Sequence, residues 1–229
     1  MESVKSNETG ISIQVSLSGY SFKVSGPEGF TRSAWLPAGN IFTTPEFQRR
    51  YSSVEISLFT PKVALVPESF LSPGSARIAL SEVSRIGESD FVEQVSVPKY
   101  GAVLVYSNSI GESLSETLSK TVFDTSGNPS NVLPELWFIL RDLSSCPDYN
   151  KILCSWRDGW LYIAIAQGNS LLLANVFEAL DFTTAEYFIF LAMKRLQLNP
   201  EVSSICFRTP LEYEQEMSLY RYFKSVEQL

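Results

Sequence analysis

The chain has 229 residues, enough for one large domain or two small ones with a sizeable core. Its 45% hydrophobic and 19% charged residues are those of an ordinary globular protein, and a net charge of −7 argues against a nucleic-acid binder, which would carry a basic stripe. There is no histidine, which removes the commonest general base and the commonest metal ligand.

Cys146, Cys154 and Cys206 are odd in number and lack paired spacing, so they are expected as buried, reduced thiols instead of a disulfide framework or a zinc site. Residues 1–10 are polar, without the apolar stretch of a secretory signal, and no apolar run approaches membrane-spanning length. A cytoplasmic protein is expected.

In chain order, residues 11–17 alternate apolar and polar as a half-buried strand does, and Ser18-Gly19 turns into a second alternation through Tyr20, Phe22 and Val24. After Gly26-Pro27-Glu28-Gly29, residues 30–36 read as a weaker third strand. Residues 44–51 read as a capped helix and 54–59 as a fourth strand, stopped by Pro61. Residues 63–66 and 92–97 read as further strands. Between them, residues 76–86 have helical spacing, with Ile78, Leu80, Val83 and Ile86 on one face. Residues 102–106 form a short apolar strand. Ser107-Asn108-Ser109 then leads into a helix through Leu114 and Leu118, and Ser126-Gly127-Asn128-Pro129-Ser130-Asn131 is the best domain boundary by composition. The domains expected are 1–130 and 131–229.

The second half begins with a helix at 132–143, with Pro134 in its first turn, and a strand at 151–156. Asp158-Gly159 is a two-residue hairpin signal, and the nearly all-apolar run 160–166 predicts a strand covered on both faces. Gly168-Asn169 turns into a strand at 171–177. A helix at 184–196, apolar on several sides and so expected to be buried all round, stops at Asn199-Pro200. A strand at 205–207, a helix at 211–223 and a strand at 226–229 complete the chain.

Phe182-Thr183-Thr184-Ala185-Glu186-Tyr187 has a near-copy at Phe42-Thr43-Thr44-Pro45-Glu46-Phe47, 140 residues earlier. The same offset carries Ser18-Gly19-Tyr20-Ser21-Phe22 onto Asp158-Gly159-Trp160-Leu161-Tyr162. Two readings stand. Each copy can be a capping box with Thr43 or Thr183 as N-cap and a hydrophobic staple around it, reached by convergence. Alternatively, the chain is an internal duplication in which 11–60 and 151–207 are the same strand-strand-strand-helix-strand unit. The matched glycine–aromatic turns favour duplication.

That element order is the order of the ribonuclease-H-like fold, and two such halves in one chain resemble the actin-like ATPase architecture shared by actin, sugar kinases, heat-shock chaperones and bacterial filament and pilus-assembly proteins. More closely, Leu171-Leu172-Leu173-Ala174-Asn175-Val176-Phe177, Thr183-Thr184-Ala185-Glu186-Tyr187-Phe188 and Leu196-Gln197-Leu198-Asn199-Pro200-Glu201 resemble an uncharacterised Bacteroidetes family, a domain of unknown function with an actin-like ATPase fold. The resemblance rests on residues 152–222. It implies a mixed α/β fold of two ribonuclease-H-like halves. It also implies a phosphate-binding hairpin with an Asp-x-Gly-Thr-like motif at the start of each half, and a nucleotide-gripping glycine pair.

This chain departs from that pattern. Its first hairpin has Ser16-Leu17-Ser18-Gly19, with no carboxylate; its second has Ser155-Trp156-Arg157-Asp158-Gly159, where Asp158 adjoins the glycine; and no two glycines are adjacent. Ser72-Pro73-Gly74-Ser75 lacks a phosphate-loop lysine, and Gly111-Glu112-Ser113-Leu114-Ser115 is one glycine short of a nucleophile elbow. Glu212, Glu214 and Glu216 read as a solvated helix start, Trp137, Phe138, Trp156 and Trp160 as core, and Trp35, beside Pro37, as an exposed ring. No catalytic, cofactor-binding or metal-ligating residue is assigned, and no cofactor. Two function classes remain: a non-catalytic scaffold or protein-binding module, with no nucleic-acid partner and no membrane insertion, or an atypical ATP-binding ATPase or sugar-kinase-like enzyme.

Overall fold

The computed structural model describes residues 9–108, 112–128 and 130–229. Residues 1–8, Ser109, Gly111 of the elbow-like run and Pro129 of the boundary loop lie outside the described residues, as does the side chain of Leu114. In chain order the strands and helices are β1 (Gly10–Ser16), β2 (Gly19–Gly26), β3 (Gly29–Arg32), β4 (Ser53–Leu58), β5 (Val63–Pro67), α1 (Ala76–Ser81), β6 (Val92–Val97), β7 (Ala102–Ser107), α2 (Glu112–Ser119), β8 (Val132–Pro134) and α3 (Glu135–Asp142). There follow β9 (Asn150–Arg157), β10 (Trp160–Gln167), β11 (Ser170–Glu178), α4 (Phe182–Arg195), β12 (Ser204–Phe207), α5 (Tyr213–Tyr220) and β13 (Ser225–Gln228). They gather into two compact units, one formed by the chain up to Thr60 together with Asn108–Pro134, the other by Pro61–Ser107 together with Glu135–Leu229.

The first unit is built on a sheet of order β3-β2-β1-β4-β8. Ile13 pairs antiparallel with Phe22 and parallel with Ile56. The alternation read in residues 11–17 puts Ile11, Ile13 and Val15 on one face, where they join Tyr20, Phe22, Phe47, Ile56 and Leu118 in a single core. The capped helix expected at 44–51 is absent. Its place is taken by one tight 3-10 turn, Pro45–Gln48, whose N-cap, Thr44, makes no side-chain cap bond. The Thr43 and Thr44 hydroxyls instead donate back to the Asn40 carbonyl, at 3.1 and 3.0 Å, and the two hydroxyls of Tyr20 and Thr44 meet at 2.5 Å. Nor is there a staple: Phe47 is buried while Phe42 is exposed.

The second unit has a large sheet of order β11-β10-β9-β12-β13, the same sequence of third, second, first, fourth and fifth strand. Cys154 pairs antiparallel with Ile163 and parallel with Phe207, as Ile13 does with Phe22 and Ile56. One face carries Ile152, Cys154, Leu161, Ile163 and Ile165 into a core closed by α4 and α5. On the other, Ser155 reaches Glu135 of α3. Residues 161–166 are accordingly buried without interruption, as a strand covered on both faces requires. A smaller antiparallel sheet, β5-β7-β6, carries α1. All three cysteines are buried and unbridged.

Four local expectations are corrected. α4 begins at Phe182, and its N-cap is Asp181, whose carboxylate accepts from the Thr184 amide at 2.7 Å; Thr183 caps nothing. A carboxylate two residues before the Thr pair competes better for the orphan amides than a hydroxyl does. α4 is also amphipathic: Ala185, Ile189, Ala192 and Met193 are buried at helical spacing, and Tyr187 is 59% exposed. α1 ends at Ser81, short of the residue 86 expected; within it only Leu80 is buried and Ile78 stands in solvent, as does Val83 beyond its end, because so short a helix brings one apolar position down onto its sheet. Finally, Val132–Pro134 is a strand and α3 starts only at Glu135; Pro134 closes a sheet edge instead of opening a helix.

Candidate functional site

The resemblance directs attention to the two hairpin tips. In the first, β1 turns into β2 through Leu17 and Ser18. The Ser18 amide donates to the Ser16 hydroxyl at 3.2 Å, the two hydroxyls meet at 3.0 Å, and the Trp35 indole donates to the Ser18 hydroxyl at 3.0 Å. Trp35 is half-buried, not exposed as expected, and packs edge-on against Phe59 with centroids 6.3 Å apart. Gly19, at φ 146°, is pressed so close to the next strand segment that a β-carbon would lie 2.0 Å from the Leu36 carbonyl oxygen. The tip is thus a closed knot of hydroxyls under an indole. The two hydroxyls that could have cradled an anion are bonded to one another, and residues 16–19 supply no carboxylate to orient a cation.

In the second tip, Asp158 at φ 50° and Gly159 at φ 78° make a two-residue turn with both residues left-handed, the geometry that matches strand twist. Gly159 accepts from the Ala179 amide at 2.7 Å, and the Trp156 indole donates to the Ala179 carbonyl at 2.9 Å. Trp156 stacks edge-on with Phe182 at 5.5 Å. Asp158 therefore serves the turn. Burial pulls the Arg157 guanidinium below its ordinary range, against the opposing pull of Asp158 and Glu212, which leaves it a cation held among acids.

A third constellation was not anticipated. Glu135, fully buried at the start of α3, accepts from the Ser155 hydroxyl at 2.6 Å and lies 2.6 Å from Nη1 of Arg208, itself 8% exposed. That approach is an ion pair whose N–H is not aligned as a hydrogen bond. Arg208 Nε reaches Asp142 at 3.3 Å, and Arg141 grips the same carboxylate at 2.6 and 3.1 Å. Both guanidinium groups lie over the Phe138 ring, at 5.0 and 4.9 Å. Burial, reinforced by Glu135 and Asp158, pushes the Tyr162 phenol well above its usual range. Every charge in this group has a counter-charge, so it clamps α3 to the end of β12 and to β9. No periodicity signals it, since Glu135 opens an otherwise apolar helix run and Arg208 follows an apolar strand.

The remaining candidates are structural. The Glu212 amide donates to the Gln215 side chain at 2.9 Å at the start of α5, and Glu214 follows in its exposed first turn. Trp137 donates to the Ser96 carbonyl at 3.2 Å. Among the described residues no three His, Cys, Asp or Glu side chains come together as a metal would need, and no helix is long and apolar enough to cross a membrane. A surface cleft of about 540 Å³ lies at the β2–β3 turn, lined by Val24, Pro27, Glu28 and Phe30 among others, and gathers no convergent polar groups.

A protein from Bacteroides thetaiotaomicron described as having an actin-like ATPase fold and unknown function superposes with a TM-score of 0.66 at 17% identity, covering 100% of this chain and 93% of its own. A chain of the PilM–PilN type IV pilus biogenesis complex superposes with a TM-score of 0.55 at 12% identity, covering 96% of this chain and 88% of its own. No curated protein matches the sequence. The fold is the mixed α/β actin-like ATPase fold. The family described as proteins of unknown function, DUF3822, matches residues 1–226, and the chain belongs to that family.

Proposed function

We propose that this chain is a non-catalytic, cytoplasmic bacterial protein that uses the actin-like ATPase fold as a scaffold or protein-binding module. One observation carries the reading: the first hairpin spends its hydroxyls on each other and on Trp35, where a nucleotide-binding hairpin would leave donors open to phosphate. The turn role of Asp158 supports it, as does the likeness to a chain of the PilM–PilN complex, a protein–protein assembly. The reading assigns no cofactor and no catalytic or metal-ligating residue. Phosphate release from magnesium–ATP by the purified chain tests it. The expected rate equals the buffer control, and a rate above it that Asp158→Asn abolishes would overturn it.

We infer further that residues 1–130 and 131–229 are ribonuclease-H-like halves of a duplicated ancestor. The support is the shared strand order and the equivalent pairing of Ile13 and Cys154. On this reading Pro61–Ser107, which is compact with the second unit, is an addition to the first half.

A further inference from the structure

A carboxylate oxygen taken out of water and given no donor is costly, so each instance calls for a reason. Among the described residues, four buried side-chain atoms make no hydrogen bond: Asn108 Oδ1, Arg157 Nε, Arg208 Nη1 and Glu186 Oε1. Arg208 is ion-paired with Glu135, and Asn108 and Arg157 are engaged through other contacts. Glu186, half-buried in the first turns of α4, is engaged by none. By contrast Asp90, Asp142 and Asp148, also half-buried, each hold a cation.

Aromatic rings stand beside it. Phe190 lies one turn on from Glu186, on the same side of α4. Tyr222 meets Phe190 edge-on at 5.0 Å, and buried Phe223 backs Phe190 at 5.7 Å. Tyr222 is 52% exposed, and Tyr187, next to Glu186, is 59% exposed. Elsewhere the molecule seats its own cations on rings: Lys23 over Phe30, Arg50 over Phe123, and Arg141 and Arg208 over Phe138. Among the described residues no cation is seated on Phe190 or Tyr222. Lys194, the next cation along α4, stands about 12 Å further along the axis and does not pair with Glu186.

We propose that Glu186, Phe190 and Tyr222 form a docking point for a lysine or arginine side chain presented by a partner protein. This rests on the protein-binding reading above and names the chemistry of the partner. The carboxylate supplies the counter-charge, and the rings take the cation's flank and its aliphatic stem. The arriving N–H groups give the carboxylate the donors that folding withholds from it. A small free amine would leave Tyr187 and Tyr222 in water, whereas a partner's surface covers them, and tyrosine is a residue that interfaces favour.

Two-dimensional amide NMR of the full chain, titrated with acetyl-Leu-Lys-Leu amide, tests this. The control peptide carries norleucine in place of lysine. The lysine peptide is expected to shift the amides of Glu186, Phe190 and Tyr222 saturably. The norleucine peptide should bind about tenfold more weakly, and Glu186→Gln should lose a similar factor for the lysine peptide, the size of one charge-assisted hydrogen bond. Because it breaks no bond, Glu186→Gln should also hold or raise the urea midpoint of the free chain. Tyr222→Leu, at an exposed position, should weaken lysine-peptide binding severalfold with the circular dichroism unchanged. A lysine peptide that shifts none of these amides, binds no better than the norleucine peptide, or binds both variants as tightly as wild type would overturn the proposal. So would a lowered midpoint in Glu186→Gln, which would give the carboxylate a structural role. Phosphate release from magnesium–ATP above the control overturns the reading on which the docking point rests, whereas peptide failure without such release overturns the docking point alone.

Discussion

Single side chains in the second unit carry much of its electrostatic definition. Asp148 accepts from the Ser204 amide at 2.8 Å, the Ser204 hydroxyl at 2.5 Å and the Lys224 ammonium at 2.9 Å, which together hold its carboxyl down at about 2. A carboxyl depressed in the folded state adds stability above its unfolded value, near the usual 3.8, and loses it as pH falls from there toward 2. Asp148→Asn should therefore destabilise at neutral pH and flatten the acid limb of the urea midpoint between those values; an unchanged limb would remove Asp148 from the account. Arg208→Ala leaves Glu135 buried without its cation, and should cost roughly 3–5 kcal/mol by equilibrium denaturation. Asp181→Ala should lower the denaturation midpoint and Thr183→Ala leave it nearly unmoved, because the Asp181 carboxylate holds the Thr184 amide.

At the scale of elements, Gly19 at the start of β2 and Gly29 at the start of β3 separate close approach from backbone strain. Gly19 and Gly29 both have positive φ, but only Gly19 has backbone where a β-carbon would go. Gly19→Ala should cost on the order of 3 kcal/mol, and Gly29→Ala about 1 kcal/mol. Calorimetry of the two variants checks the ranking. The strands were legible because alternation and turn residues are local: Ile11-Ser12-Ile13 and Asp158-Gly159 act within a few residues of themselves. The repeated Thr-Thr stretch was legible as a repeat and illegible as structure. With Ala185 it runs on into a fourteen-residue helix, and with Pro45 it closes a single turn whose hydroxyls find the Asn40 carbonyl. Its offset of 140 is also not the structural one. Phe22 and Ile163, equivalent in their hairpins, are 141 residues apart, and Ile56 and Phe207, equivalent in the parallel strands, are 151 apart. The longer helix takes up the difference. The Glu135–Arg208 pair was illegible for another reason: its members lie far apart in sequence and meet only through packing.

For the molecule as a whole, one fold carries two large sheets of identical strand order; the first hairpin tip is closed by its own hydroxyls and Trp35, and the second is tied to the Ala179 backbone by Gly159 and Trp156. The central claim is that this closure replaces nucleotide binding. Thermal unfolding with and without millimolar magnesium–ATP tests it most directly. A ligand of the native state present at one hundred times its dissociation constant adds about 2.7 kcal/mol and so raises the melting temperature by degrees. The account predicts no shift. A rise of several degrees, lost in Asp158→Asn, would contradict it and make this chain an ATP-binding protein.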